Sequence, residues 1–268
     1  MRLNHLAATV AASLFAMTAN ANVIGFDNGE SNSYTSFSAT DPGSWGPGDW
    51  FGWGARGAWP QAAGMPFALA DDTVNDISGN GTGAPFPTDS VGIVDSTYAP
   101  DNQFFGVVDT VNGNNPDGTA TALWTFDIAG YQDLGISIDF AAMGDFEASD
   151  MFLFSASIDG GPAQTLFESV YEGALSQNYT MESGANVNLN DPLSLQGTLL
   201  NDLLATFSAS IAGTGSVLEI SLLTEFNGGS EAFMFDNLTV TGVAEPGIVL
   251  LLGTGLLTLA LTRRRRRH

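Results

Sequence analysis

Carboxylates are the side chains with which this sequence can do chemistry. It has 29 Asp and Glu against seven Lys and Arg, two His and no Cys. Acids recur at short spacing in three pairs: Glu147 with Asp150, Glu168 with Glu172, and Glu225 with Glu231. A retaining glycosidase needs two carboxyl groups about 5–5.5 Å apart, one of them with a raised pKa. Glycoside hydrolysis is therefore one chemistry open to the chain, although so many acids also produce such pairs by chance.

Asp27, Glu30 and Asp236 are candidate ligands for a cation. The stretch Phe26-Asp27-Asn28 is repeated as Phe235-Asp236-Asn237 near the other end of the body, and Glu30 follows the first copy. If the strands carrying the two copies are neighbours, the three acids can supply oxygen ligands to one calcium ion. The alternative interpretation is that they are turn and surface acids.

Asp236 is the most informative of these carboxylates. Strict alternation along its strand puts it on the same face as Leu238 and Val240, towards the core. A buried carboxylate is costly unless it has a partner. Because the chain has no lysine, that partner is calcium, backbone N–H groups, or a bulge that turns Asp236 outward.

Four of the five tryptophans lie in one glycine-rich stretch, WGPGDWFGWGARGAW. They are Trp45, Trp50, Trp53 and Trp59, and Arg56 lies among them. Flat rings between glycines suit stacking on sugars, and the arginine can hydrogen-bond a hydroxyl or stack on a ring. The stretch predicts a carbohydrate-binding surface. The alternative is that the rings cover an edge of the fold or fill its core.

Composition excludes most other functions. Between residues 22 and 243 there is no His, Lys or Cys, and Arg56 is the only basic side chain. Ser-His-Asp and Cys-His nucleophiles, zinc and haem sites, lysine Schiff bases and disulfides cannot be built from this inventory. In the same range 28 acids against one arginine give a net charge of −27. Such a surface repels nucleic acid, and salt or divalent cations would relieve its self-repulsion.

The body of the chain, residues 22–242, alternates between apolar and polar residues. Stretches such as LGISIDF, MFLFSASI and VLEISLL have a period of two and are separated by Gly, Asn and Asp turns. We predict an all-β antiparallel β-sandwich, with residues 22–90 rich in Gly, Pro and Trp and residues 91–242 holding most strands. Leu193 to Leu204 is the exception, because its leucine spacing favours a short helix.

The N-terminus has the order of a secretory signal peptide. Arg2 and His5 give a basic start, Leu6 to Met17 is apolar, and Ala19-Asn20-Ala21 is a small-x-small cleavage site. Residues 1–21 are therefore predicted to be removed on export.

The C-terminal segment, residues 243–268, predicts arrest in a membrane. Gly247 to Thr262 is a run of sixteen uncharged residues, and as a helix it would span roughly 24 Å, short of a hydrocarbon core of about 30 Å. The arginines Arg263, Arg264, Arg265, Arg266 and Arg267 would stay on the cytoplasmic side. The protein would thus be held transiently in the inner membrane with its body outside.

This segment resembles the PEP-CTERM sorting signal of Gram-negative bacteria. It has Ala244-Glu245-Pro246 where the signal has Pro-Glu-Pro, then the glycine-containing apolar helix over residues 247–262 and the arginine cluster. The resemblance implies that an exosortase, a membrane transpeptidase, cuts near the motif and passes the protein to the cell surface. Ala244 departs from the pattern at its first residue.

The body also resembles extracellular jelly-roll domains at two places. Phe235-Asp236-Asn237-Leu238 is similar to the stretch that closes their sheet, and the turn from Ser157 to Gly161 is similar to one of their turns. This resemblance implies a jelly-roll-like sandwich, in some cases with a structural calcium near the first and last strands.

Together these features predict a non-enzymatic protein exported to the cell surface or biofilm matrix. Its expected partners are an exosortase and the inner membrane during sorting and exopolysaccharide afterwards, with structural calcium as cofactor and no nucleic acid. The alternative is a secreted glycoside-active enzyme that uses carboxylates alone. Glycan binding without turnover favours the first function, and release of reducing ends favours the second.

Overall fold

The structure is a computed structural model that describes residues 20–41, 50–55, 102–116, 118–180, 186–228 and 231–245. The regular elements in these ranges are strands, numbered here in chain order. They are β1 (Asn22–Asp27), β2 (Ser36–Ala39), β3 (Trp50–Ala55), β4 (Gln103–Val108), β5 (Ala120–Asp127), β6 (Tyr131–Met143), β7 (Met151–Ile158) and β8 (Gln164–Glu168). They continue as β9 (Val170–Tyr171), β10 (Ser176–Thr180), β11 (Asn186–Asn190), β12 (Leu193–Leu195), β13 (Thr198–Leu199), β14 (Ala205–Ile211), β15 (Val217–Glu225) and β16 (Ala232–Ala244).

Two antiparallel sheets form the body. One has the order β14-β6-β16-β4-β3, with β1 pairing with β16 further along the same strand, and the other has the order β2-β5-β15-β7-β8. A three-stranded sheet, β13-β12-β9, and the hairpin β10-β11 complete the described part. The prediction of an all-β antiparallel sandwich is confirmed. The predicted boundary at residue 90 and the predicted apolar helix over residues 247–262 lie outside the described ranges.

Within those ranges, no helix has the length and apolarity needed to cross a membrane.

Aromatic rings fill the space between the two main sheets. Phe140 of β6 lies 5.5 Å from Phe152 and 5.4 Å from Phe154 of β7, measured between ring centroids. Strand alternation puts these rings inside, because every second residue of β7 from Phe152 to Ala156 is buried. Each fully buried ring of this size contributes roughly 1.5–3 kcal/mol, so the core holds the sheets face to face.

The predicted short helix over Leu193 to Leu204 is wrong. The chain forms β12 and β13 instead, with Leu195 paired to Thr198 across a two-residue turn. Gln196 and Gly197 both have positive φ, 50° and 78°, which is the conformation of a type I′ hairpin turn. Leu193, Leu195 and Leu200 are buried from strands and loops, so the leucine spacing gave a false helical signal.

The last strand changes face at Asn237. This residue has a φ of 54°, and the register of β16 against β6 shifts between Asp236 and Thr239. Phe235 before the bulge and Leu238 after it both belong to the core. Asp236 therefore lies on the opposite face of the sheet from Phe235 and Leu238, which overturns its strict alternation with Leu238. It is still buried, with 1% exposed, so the bulge does not turn it outward.

Candidate functional site

The structure does not bring Asp27, Glu30 and Asp236 into one site. β1 does pair with β16, as the calcium prediction required, and Asp27 lies opposite Leu238. Because Leu238 faces the core, Asp27 faces it too, whereas Asp236 lies on the other face of the sheet. The backbone N–H of Asn237 donates to Asp236 Oδ1 at 2.6 Å. The structure therefore does not support the predicted calcium site shared by these three acids.

Asp27 holds a core tryptophan. Its side chain is only 2% exposed, and its Oδ2 accepts a hydrogen bond of 2.8 Å from Trp124 Nε1. Burial raises the pKa of Asp27, while the hydrogen bonds from Trp124 and from the backbone N–H of Gly29 oppose that rise. Glu30 accepts a hydrogen bond from the backbone N–H of Gln103. Through these hydrogen bonds Asp27 links the end of β1 to β5, and Glu30 links the turn after β1 to β4.

Trp50 and Trp53 lie on opposite faces of β3. Trp53 pairs with Phe105 of β4, and its ring packs edge-on against Phe105 and Phe235 at 5.5 and 5.6 Å. Trp50 is three residues earlier on the strand and therefore points to the other face; its Nε1 donates to the carbonyl of Gly52 at 3.0 Å. These two rings cannot form one stacking surface, and Trp53 packs against the core.

The other members of the predicted carbohydrate-binding stretch, Trp45, Arg56 and Trp59, lie outside the described residues.

Glu147, Asp150 and Glu231 form the acidic cluster that the structure does assemble. Each offers a carboxylate oxygen, and these oxygens lie within 4.8 Å of one another, the arrangement of a possible metal site in the described part of the chain. Asp150 is 3% exposed and Glu231 is 1% exposed, whereas Glu147 is exposed. All three were named from the sequence, but as members of two separate pairs. We call them the carboxylate trio.

Two connections between strands position the trio. Glu147 and Asp150 lie between β6 and β7, and Glu231 directly precedes β16. Asp150 Oδ2 accepts from the backbone N–H of Glu147 at 2.5 Å, and its Oδ1 accepts from that of Asn227 at 3.3 Å. Asn227 Nδ2 donates to Ser149 Oγ at 2.9 Å, so the β6–β7 and β15–β16 connections are tied together at this point.

Gly228 leaves room for the Glu231 carboxylate. A Cβ at Gly228 would lie only 2.5 Å from Glu231 Oε1. Any other residue there would push the carboxylate away from its place beside Asp150. The glycine is thus part of what lets three acids converge.

No basic side chain among the described residues neutralises the carboxylate trio. They contain no Lys, Arg or His. Burial, with Glu147 alongside, raises the pKa of Asp150 to about 7. Burial and then the negative charges of Asp150 and Glu147 raise the pKa of Glu231 further above its ordinary range. At neutral pH the cluster must therefore hold protons or a cation.

A cavity of about 150 Å³ opens beside Asp150. Its lining also includes Val111, Gly118, Ser149, Glu225 and Asn227, and no aromatic ring is among these residues. Pockets that bind small molecules occupy roughly 300–1,000 Å³. A cavity of this volume is better suited to an ion than to a sugar ring.

No family model matches the sequence, and no curated protein matches it. Among solved structures, the xylan-binding module CBM15 is 17% identical with a TM-score of 0.28, over 56% of this chain and 83% of that one. The CBM22-1 xylan-binding domain from Paenibacillus barcinonensis Xyn10C is 8% identical with a TM-score of 0.28, over 60% and 83%. TmCBM61, in complex with β-1,4-galactotriose, is 7% identical with a TM-score of 0.28, over 54% and 74%. The similarity to carbohydrate-binding module β-sandwiches is distant and concerns the fold.

Proposed function

We propose that this chain is a non-enzymatic, exported β-sandwich protein of the cell surface or extracellular matrix, stabilised by a divalent cation. The observation that carries the proposal is the carboxylate trio, with three acidic oxygens within 4.8 Å and two of the acids almost fully buried. Calcium prefers carboxylate and carbonyl oxygens. An ion bound by the trio would join the β6–β7 connection to the start of β16.

Charge supports a cation in this position. Ionised carboxylates taken out of water cost several kcal/mol each unless they are compensated. Protons also neutralise them, but at neutral pH the folded state must then hold protons that unfolded carboxyls have lost, which lowers its stability. A divalent cation neutralises most of the charge at once. Extracellular calcium modules bind with Kd values of about 10⁻⁴–10⁻³ M, so a site of ordinary affinity would serve an exported protein.

Titration of Ca²⁺ into the metal-free mature protein tests this proposal. Wild-type protein should bind about one equivalent in the affinity range of extracellular modules. Glu231→Gln keeps the shape of the side chain but removes one ligand charge, so it should show no binding in that range. Glu168→Gln, which changes an exposed acid of β8, is the matched control and should bind like wild type. Wild-type protein that takes up no calcium would contradict the proposal.

The route to the surface is proposed from the two ends of the sequence. We infer that residues 1–21 direct export and that residues 243–268 hold the protein in the inner membrane until an exosortase cuts it. The motif begins at Ala244, the last residue of β16, and the backbone N–H of Glu245 donates to the carbonyl of Gly130 at 2.8 Å. The cut would therefore fall at or just after the end of β16.

Replacing Glu245 and Pro246 with alanine should leave an uncut precursor in the membrane, because the apolar segment and the arginines would still arrest export. Mass spectrometry of surface-released wild-type protein should detect no peptide from Ile248 onward. Ala244→Pro restores the full Pro-Glu-Pro pattern and should be processed at least as efficiently as wild type. An intact arginine tail recovered outside the cell would refute the sorting proposal.

A carboxylate-dependent glycoside-active enzyme is the second candidate. The observation in its favour is the raised pKa of Asp150 beside the exposed Glu147, which resembles an acid and its partner. The burial of Asp150, which is 3% exposed, and the small cavity work against it, since a glycosidase must bring both carboxyl groups against a sugar ring. We therefore place binding without turnover first, with polysaccharide as the proposed partner.

A further inference from the structure

We propose that the exposed face of the β10–β11 hairpin binds a neutral polysaccharide through a row of amide and hydroxyl side chains. This inference rests on the proposed role of the protein as a polysaccharide-contacting surface component, and it names the surface and the class of glycan. The predicted tryptophan stretch is not needed for it.

The row is built by cross-strand pairing. All its members are exposed, and they face each other in three pairs: Ser176 with Asn190, Asn178 with Asn188, and Thr180 with Asn186. Successive pairs on one face of a strand are about 7 Å apart along it. The hairpin therefore presents two lines of polar groups on one face. Within two of the pairs the side chains hydrogen-bond each other, Asn188 Nδ2 to Asn178 Oδ1 at 2.9 Å and Thr180 Oγ1 to Asn186 Oδ1 at 3.4 Å, which leaves their remaining donors and acceptors for a ligand. We call this surface the amide face.

The amide face is held rigid from below. Tyr179 and Leu189 point away from it and are buried. The backbone N–H of Thr180 donates to Asp202 Oδ2 at 3.1 Å, and Gln177 Nε2 donates to the carbonyl of Leu200 at 3.4 Å. A surface that is ordered before binding loses less conformational entropy when its ligand arrives.

The absence of charge on the hairpin favours a neutral ligand. β10 and β11 contain no charged residue, in a chain with a formal net charge of −22. Acidic glycans are repelled by the rest of the surface and find no cation here. A side-chain amide offers two donors and an acceptor, and a hydroxyl offers both functions. These groups match the hydroxyls of a neutral glycan without requiring charge.

Two exposed leucines adjoin β10 or a residue that binds it. Leu175, directly before β10, is 47% exposed, and Leu203, next to the Asp202 that binds Thr180, is 49% exposed. Burying the C–H faces of sugar rings against such side chains is favourable at roughly 25 cal/mol per Å².

The experiment uses the full mature protein with three probes: arabinoxylan and hydroxyethyl cellulose, which are neutral, and alginate, which is acidic. Affinity electrophoresis should show retardation by a neutral glycan and none by alginate. Asn178→Ala combined with Asn188→Ala should weaken that binding about tenfold or more, because it removes several hydrogen bonds at the centre of the face. Asn114→Ala, at an exposed turn between β4 and β5, should bind like wild type. Because Asn188 Nδ2 donates to Asn178 Oδ1 at 2.9 Å, the double variant should lose a little stability, and melting curves must show that all three proteins are folded at the temperature of the binding experiment.

Each other outcome overturns the inference in a distinguishable way. If the double variant binds as tightly as wild type, the amide face is not the binding surface, although the protein still binds polysaccharide. If wild-type protein binds neither neutral glycan, both the amide face as a binding surface and polysaccharide as a partner are ruled out. The calcium titration remains a separate test. Self-association that the double variant abolishes, without glycan binding, would assign the face to a second copy of the chain. Reducing ends released from the bound glycan would favour the enzyme.

Discussion

Removing calcium at pH 8 should lower the melting temperature of the wild-type protein by roughly 5–10 °C. An ion that binds only the folded state stabilises it by RT ln(1 + [L]/Kd), about 2.7 kcal/mol when calcium is 100 times its Kd. In a domain of about this size, 1 kcal/mol shifts the melting temperature by about 2–4 °C. Calorimetry in calcium and in chelator, at matched ionic strength, measures the effect. Matching is essential because salt alone screens the acidic surface.

The calcium effect should grow as the pH rises. Burial raises the pKa of Asp150 to about 7 and that of Glu231 further, so the folded cluster keeps protons that unfolded carboxyls lose near pH 4. Above pH 4 the unfolded state therefore binds fewer protons than the folded state. Without calcium, the free energy of unfolding should fall as the pH rises from about 4 through 7. Calcium replaces those protons, so it should offset this fall.

Glu231→Gln is the decisive variant for this prediction. It should melt at the same temperature in calcium and in chelator, and part of its pH dependence should disappear because one titrating group is gone. Glu168→Gln should keep the wild-type response to both. Equal wild-type melting curves in calcium and chelator would refute the site. A full calcium effect in Glu231→Gln would place the ion elsewhere.

The sandwich was predictable because burial follows the period-two pattern of the sequence. In β15 the buried residues include Leu218, Ile220 and Leu222, while Glu219 and Ser221 between them are partly exposed. The same alternation runs through β7. Apolar residues on one face of a strand require a partner layer, so the pattern predicts both the strands and their packing.

One local backbone conformation was not predicted, and a second was only one of three alternatives. The stretch from Leu193 forms a type I′ turn at Gln196 and Gly197 instead of the expected helix. The bulge at Asn237 places Asp236 on the face opposite to the expected one. Both depend on positive φ, which hydrophobic periodicity does not report. Glycine and asparagine adopt it most readily, so Gly197 and Asn237 were the available signals.

The carboxylate trio was only partly visible in the sequence. Glu147 and Asp150 are three residues apart and were paired from sequence, but Glu231 follows 81 residues after Asp150. Only the packing of the β6–β7 connection against the β15–β16 connection brings it close. The repeated Phe-Asp-Asn motif was the stronger sequence signal, yet its first aspartate is already engaged by Trp124.

Replacing Trp124 with alanine should cost about 3–5 kcal/mol of folding free energy. The ring is fully buried and lies 5.0 Å from Phe37, 5.9 Å from Phe105 and 5.8 Å from Phe235 between centroids. The substitution also removes a hydrogen-bond donor from the buried Asp27, and an unsatisfied buried polar group costs about 1–3 kcal/mol. Domains of this kind are stable by about 5–15 kcal/mol in total. Urea unfolding followed by circular dichroism should therefore show a midpoint far below that of wild type.

Asp27 variants separate this structural role from cation binding. Asp27→Ala leaves the Trp124 N–H buried without its acceptor and should lose stability, whereas Asp27→Asn keeps an acceptor oxygen and removes a charge that burial disfavours. Neither should change the calcium response, because Asp27 faces the core next to Trp124 and shares no ligand position with the trio. If Asp27→Ala abolished calcium binding and Glu231→Gln did not, the ion would belong between the first and last strands, as the repeated motif predicts. The trio would then be a set of acids neutralised by protons, and its pH dependence would persist in full without any metal.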